Sequence, residues 1–208
     1  MSRPVKLYDL APSPNNIKVR LALAYKKIPY ERIPVNHLDR SELVRVSGQP
    51  LAPVLVHGDS VVFDSYAILR YLDANWPAPP RLFGTERDTL RRIEEWELFN
   101  RAEVSIPVVT VFRESSAAAP DRDRIKKAND QMNRAASRIE EALARSPCLM
   151  GETANAADLT LAPMVHLGAL SEAADADPIG AFFRRHMKIE NAPKTLDWVR
   201  RVMALERR

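Results

Sequence analysis

The sequence predicts an α/β domain followed by an all-α domain, and three observations carry that prediction. Strand-like and helix-like runs alternate through roughly the first 80 residues in the order β-α-β-α-β-β-α. From about residue 86 the strand signals almost vanish and long charged amphipathic stretches replace them. Between the two regimes lies "WPAPPRLFGTE", whose Pro77, Pro79 and Pro80 cannot continue a helix and stiffen a connection. The boundaries expected are 1–78 for the α/β domain, 79–85 for the linker and 86–208 for the helical domain.

Taken in order, "VKLYDL" (5–10) is a strand, and "NNIKVRLALAYKK" sets Ile17, Leu21 and Leu23 or Ala24 on one helical stripe. "YERIPV" (30–35) is a second short extended run, and "DRSELVRV" is a weak helix or turn. "PVLVHGDSVVF" holds two β-branched runs separated by His57-Gly58-Asp59-Ser60, the pattern of a hairpin. "SYAILRYLDANW" returns to helical spacing through Ala67, Ile68, Leu72 and Trp76. In the second half the stretches 86–113, 121–145, 155–174 and 192–205 are expected to be helical, with "SSAAAP" (115–120) breaking the first from the second. Asn155 and Asp158, three positions apart, form a capping box whose role is folding of the helical half.

Composition narrows the function classes. An apolar content of 46% in 208 residues is that of a folded soluble chain. The net charge of +4 comes from 31 basic and 27 acidic residues that are interspersed, as in "RDRIKKAND", so these are solvated helix faces and nucleic acid is not an expected partner. Mild basicity still favours small anions. Apolar runs of a few residues fall far short of the ~20 that span a bilayer, and no signal-peptide core is present, so a soluble cytoplasmic protein is expected, without membrane association. The single Cys148 excludes an internal disulfide framework and a cysteine-based zinc cluster, and it reads as a packed residue. His57, His166 and His186 show no metal spacing, so no metal site is expected.

Three short motifs can carry chemistry. Ser13-Pro14 reads as the cap and first position of a helix, because Ser satisfies an orphan amide and proline needs no donor there. The same helix end carries about half a positive charge and lowers the pKa of a nearby thiol, so capping and thiol binding are both open to "SPNN". Ala52-Pro53 is an X-Pro step ahead of a strand-like run, and Asp64-Ser65 is again a favourable helix start.

"LYDLAPSPNNIKVRLALAYKKIPYERIPV", "PLAPVLVHGDSVVFDSYAILRYL" and "NAADLTLAPM", in that order, resemble three signatures of the cytosolic glutathione S-transferase family. The loop is similar to the bacterial serine/asparagine type, of zeta-, theta- or nu-like classes. The resemblance implies a thioredoxin-like first domain, a helical second domain and a homodimer. It implies glutathione as cosubstrate, its thiolate contacted by Ser13 or Asn15, and its cysteinyl part paired with the backbone of Ala52 ahead of a cis-Pro53. The γ-glutamyl carboxylate is then held by Ser65, with Asp64 facing the ammonium group, and Arg40 or His37 is the candidate for the glycyl carboxylate. Phe112 and Arg113 are candidates for the pocket of a hydrophobic electrophile. The implied reaction is thiolate attack on an electrophilic small molecule, as in detoxification. Disulfide or peroxide reduction is the enzymatic alternative, and a noncatalytic binding or scaffold role, suggested by the departures "VSGQPLAP" and Asp64, is the other.

Overall fold

The computed structural model describes residues 4–207 and divides into two compact units. The first runs up to Thr85 and includes the final turn Ala204–Arg207; the second runs from Glu86 to Met203.

In the first unit, β1 (Val5–Asp9), α1 (Pro14–Tyr25), β2 (Tyr30–Pro34), α2 (Ser41–Ser47), β3 (Val54–His57), β4 (Ser60–Phe63) and α3 (Ser65–Asn75) follow one another. The sheet order is β2-β1-β3-β4. β1 lies parallel to β2, with Val5 opposite Tyr30, and antiparallel to β3, with Leu7 opposite Leu55. A parallel pair needs a crossover, and α1 supplies it. β3 and β4 form the expected hairpin, with Val56 opposite Val61. This mixed sheet with its helices is the thioredoxin-like architecture, and the second unit is helical.

The helix α1 differs from its expected single stripe. Lys18 to Leu23 are buried without interruption, while Ile17 and Ala24 are only half-buried. The reason is that α1 packs against α3 and the final turn as well as lying in the β1–β2 crossover, so it has no fully solvated face. Its buried Arg20 is satisfied by charge: Nη1 donates to both Asp9 carboxylate oxygens at 2.8 and 3.0 Å, and Nε donates to Glu206 at 2.5 Å. Arg32 also donates to Asp9. At the far end of the unit, Asp73 on α3 accepts from Lys26 Nζ and Arg81 Nε at 3.0 Å each and from Leu82 N at 2.8 Å. The segment after α3 is tied down through that carboxylate and through Lys26 Nζ, which also donates to Pro80 O at 2.9 Å.

The second unit contains α4 (Arg87–Phe99), α5 (Ser105–Ser115), α6 (Arg122–Leu143), α7 (Ala156–Val165), α8 (Pro178–His186) and α9 (Pro193–Met203). Every residue of α7 is buried, which makes it the axis of the unit. Its capping box forms as expected, and Asp158 also accepts from Leu149 N at 3.0 Å and Trp198 Nε1 at 2.8 Å, joining α7 to α9. Three details depart from the sequence reading. A π-helical segment, Asn100–Val104, interrupts the first long helix. The stretch expected to be helical to 174 stays α-helical only to Val165 and continues in 3-10 turns. The helix α8 was not anticipated: it is a single short element opened by Asp177, which accepts from Gly180 N at 2.7 Å, with Pro178 at its first position. No helix of the described residues is long and apolar enough to cross a membrane.

Candidate functional site

Two helix N-termini meet in the first unit. β1 leads through a four-residue loop into α1, and β4 leads directly into α3. The loop before α1 is fixed by Asn16, whose Oδ1 accepts from Leu10 N at 2.9 Å while Ser13 N donates to Leu10 O at 3.0 Å. Asn16 is fully buried, and its Nδ2 has no hydrogen-bond partner among the described residues. Ser13 occupies the cap position and Pro14 the first helical one, but the Ser13 hydroxyl makes no capping bond. That corrects the reading of Ser13 as a side-chain cap. Asn16 orders this loop instead, so the hydroxyl is not consumed by the helix it precedes.

At the other helix, Asp64 does cap: its Oδ1 accepts from Tyr66 N at 2.8 Å and Ala67 N at 3.4 Å. Such a cap contributes about 1 kcal/mol. Asp64 sits at φ +67°, a left-handed conformation uncommon outside glycine, and it aims the carboxylate back at the helix start. Its Oδ2 carries no hydrogen bond among the described residues. The buried Ser65 Oγ donates to Asn15 Oδ1 over a long 3.4 Å, which ties the two helix starts together. With its carbonyl so oriented, Asn15 keeps its amide Nδ2 as an available donor.

The Ala52–Pro53 bond is cis, as the resemblance implies, and so are Ala11–Pro12 and Pro79–Pro80. Ala52 packs against the cluster of Tyr8, Leu43 and Val54. Its backbone N–H and C=O enter no hydrogen bond among the described residues. Arg40 is half-buried at the cap position of α2, with no side-chain capping bond, and no hydrogen bond or ion pair of the described residues joins it to the other candidates. Ser13, Asn15, Asp64 and Ser65 are therefore united by the two helix starts and the Asn15–Ser65 bond. Ala52, Pro53 and Arg40 belong to the same unit, and among the described residues no hydrogen bond joins them to these four.

Sequence reading missed two residues here. Asn16 is one, and Lys18 is the other: it is fully buried, with its Nζ 3.3 Å from the centroid of the Tyr66 ring. A lysine and an arginine, Lys18 and Arg20, set among the apolar residues of one helical run were the available signal. Two positive helix ends and a buried ammonium make this corner of the unit favourable to anions such as a carboxylate or thiolate.

The other candidates fall elsewhere. Phe112 and Arg113 are exposed on α5. Cys148 is buried, and burial first, then Asp158, pushes its thiol up to about 11, so it lacks the thiolate character of a nucleophile. His57 Nδ1 lies 3.0 Å from the Tyr71 hydroxyl and its ring packs on Trp76, a structural setting. Burial lowers the pKa of His166.

Comparison with known proteins identifies the family to which this fold belongs. Residues 7–80 match the family model described as "Glutathione S-transferase, N-terminal domain", and residues 99–206 match "Glutathione S-transferase, C-terminal domain". Glutathione S-transferase Z1 of Arabidopsis thaliana is 31% identical over 171 residues, which span 78% of this chain and 76% of that one. A crystal structure of a glutathione S-transferase from Rhodospirillum rubrum F11 superposes with a TM-score of 0.75 at 26% identity, covering 95% of this chain and 87% of that one. A glutathione transferase family member from Pseudomonas fluorescens Pf-5, solved with two glutathione bound, shares the fold with a TM-score of 0.74 at 22% identity, over 97% and 87% of the two chains. The chain belongs to the glutathione S-transferase family.

Proposed function

We propose that this member of the family is a glutathione transferase that ionises the thiol of glutathione at the start of α1 and directs it at an electrophilic small molecule. The observation that carries the reading is the state of the two donors there: the Ser13 hydroxyl is free of its capping duty, and Asn15 is turned so that its amide remains to donate. Hydrogen bonds from such donors, added to the helix field, stabilise a thiolate more than a thiol and so lower its pKa. The thiol proton is released to solvent, so no protein base has to take it. The thiolate attacks the electrophilic carbon, a carbon–sulfur bond forms, and the leaving group departs with its electron pair.

Glutathione, the cosubstrate, lies across the first unit in this reading. The Ala52 N–H and C=O pair with its cysteinyl part, Ser65 takes the γ-glutamyl carboxylate at the start of α3, and the uncommitted Oδ2 of Asp64 takes the ammonium group. Arg40 is assigned the glycyl carboxylate. The protein works as a homodimer, which the exposed apolar side chains of both units support: Leu51 at 72% exposure in the first, and Ile106, Val109 and Phe112 along one stripe of α5 in the second. A reducing cytoplasm, where glutathione is abundant and Cys148 stays a thiol, is the compartment that suits it.

Purified protein assayed with an aryl halide and with a small mixed disulfide tests the reaction type. Conjugation of the halide is expected, with Ser13→Ala or Asn15→Ala lowering kcat/KM roughly ten- to a hundredfold, the scale of one hydrogen bond to a charged group. Turnover of the disulfide alone would overturn the conjugation reading.

A further inference from the structure

We propose that the second unit carries a ligand site of its own, a cavity between α4, the end of α6 and the loop beyond it, which takes a small aromatic anion with its acid group on Arg92 and Arg145 and its ring against Trp96. The inference is independent of the glutathione reading.

The cavity has a volume of about 310 Å³. Pockets for small molecules run from about 300 to 1,000 Å³, so one fused ring system bearing one acid group is the size that fits. Trp96, half-buried on α4, gives the cavity apolar surface together with Leu149 and Met150 of the loop, and Arg92 and Arg145 give it charge. No acidic residue is among those that line it.

An exposed arginine is ordinarily a solvated charge, often held by a nearby acid. On the same elements other basic side chains are so held: Arg91 donates to Glu95 at 2.5 Å on α4, and Lys126 donates to Asp130 at 2.7 Å on α6. Arg92 and Arg145 enter no hydrogen bond or ion pair among the described residues. Arg138 adds a third cation beside the same ring, its Cζ 5.4 Å from the Trp96 centroid and 4.4 Å from that of Phe99. Charges of one sign over apolar walls focus a positive potential into a cleft. A guanidinium fork matches a carboxylate in shape, and the Trp96 ring offers a surface on which an aromatic body packs. The neighbouring cavity, of about 330 Å³, makes the contrast: there Asp197 lines the wall and accepts from Arg201 Nε at 3.0 Å. That pairing leaves Arg201 without a charge to offer an anion.

The loop side of the site is held in shape before any ligand arrives. Leu149 N donates to Asp158 Oδ1 at 3.0 Å, Ser146 Oγ donates to Cys148 O at 2.7 Å, and Arg201 Nη2 donates to Pro147 O at 2.7 Å, so the loop is pinned to both α7 and α9. At Gly151, which also lines the cavity, an added Cβ would meet no atom within 4 Å, so bare backbone faces open space. A wall already ordered costs little further entropy on binding.

Calorimetric titration of the full chain with 2-naphthoate, with the uncharged 2-naphthalenemethanol and with acetate tests the site, each with and without excess glutathione. One 2-naphthoate is expected to bind per chain with a Kd on the order of 10–100 μM, and the other two at least about tenfold more weakly, since each lacks half of the recognition. Arg92→Gln and Arg145→Gln are each expected to weaken 2-naphthoate about tenfold, the scale of one hydrogen bond to a charged group, with melting temperature and oligomeric mass unchanged. Arg91→Gln, which removes a charge already paired beside the site, is expected to leave the affinity within about twofold, as is excess glutathione. No binding of 2-naphthoate up to about 1 mM, equal binding of the alcohol, affinity kept within about twofold in both site variants, an equal loss in Arg91→Gln, or displacement by glutathione would each overturn the site. A change of oligomeric mass in either site variant, measured by light scattering, would overturn it as well, because the two arginines would then serve an interface between copies of the chain.

Discussion

Residue by residue, the start of α1 divides four tasks among Ser13, Pro14, Asn15 and Asn16. Pro14 supplies the helical φ without an amide to satisfy. Ser13 and Asn15 present donors, and Asn16 fixes the loop that carries them. Asn16→Ala leaves the Leu10 amide without its acceptor, a loss of about 1–3 kcal/mol for a buried group. A lowered melting temperature and weaker glutathione binding are expected together, and a melting curve with a ligand titration checks both. Cys148 gives a second expectation: its buried, protonated thiol resists a thiol-specific disulfide reagent near pH 8 in the folded protein and reacts after denaturation. The serine, proline and first asparagine were legible as a motif. The duty of Asn16 was not, because it depends on the path of the loop from Leu10 to Ser13 rather than on any pattern of letters.

At the level of elements, strands built on β-branched runs and helices with charged faces were readable, and the second unit's capping box announced α7. The helix α8 was hidden because "PIGAFFRRH" is one short segment containing a glycine, with too few turns to display a period. The continuous burial of α1 was hidden because a stripe pattern reports one packed face, and α1 packs on several elements. The joint made by Asp73 between α3, Lys26 and the segment at Arg81–Leu82 carries a pH signature. Burial works to raise its carboxyl, but the Leu82 amide, Lys26 and Arg81 outweigh it and hold the group below the ordinary carboxylate range. A folded pKa below the unfolded value contributes stability that is present above about pH 3.9 and is lost as pH falls through the folded value. Wild-type melting temperature is therefore expected to fall more steeply between about pH 5 and about pH 3 than that of Asp73→Asn. The variant is expected to be less stable near neutrality by about 3–5 kcal/mol, since Lys26 is left buried without its carboxylate.

For the molecule as a whole, the division into an α/β half and a helical half was written in the alternation and disappearance of strand signals. Membership of the final turn in the first unit was not, because it rests on Arg20 and Glu206, 186 positions apart, and no local period reports such a pair. The candidate site lies within the first unit, whose two helix starts the thioredoxin-like topology brings side by side and whose donors the local structure leaves uncommitted. Ionisation of glutathione at that corner is the centre of the account, and the ultraviolet absorbance of enzyme-bound thiolate, followed against pH, tests it most directly. A free cysteine-type thiol titrates at about 8.5. The bound thiol is expected to titrate at least about one unit lower, a differential interaction of about 1.4 kcal/mol, and Ser13→Ala or Asn15→Ala is expected to move it back upward. A bound thiol that titrates like the free one, or one that neither substitution shifts, would contradict the placement of the reacting sulfur at the start of α1.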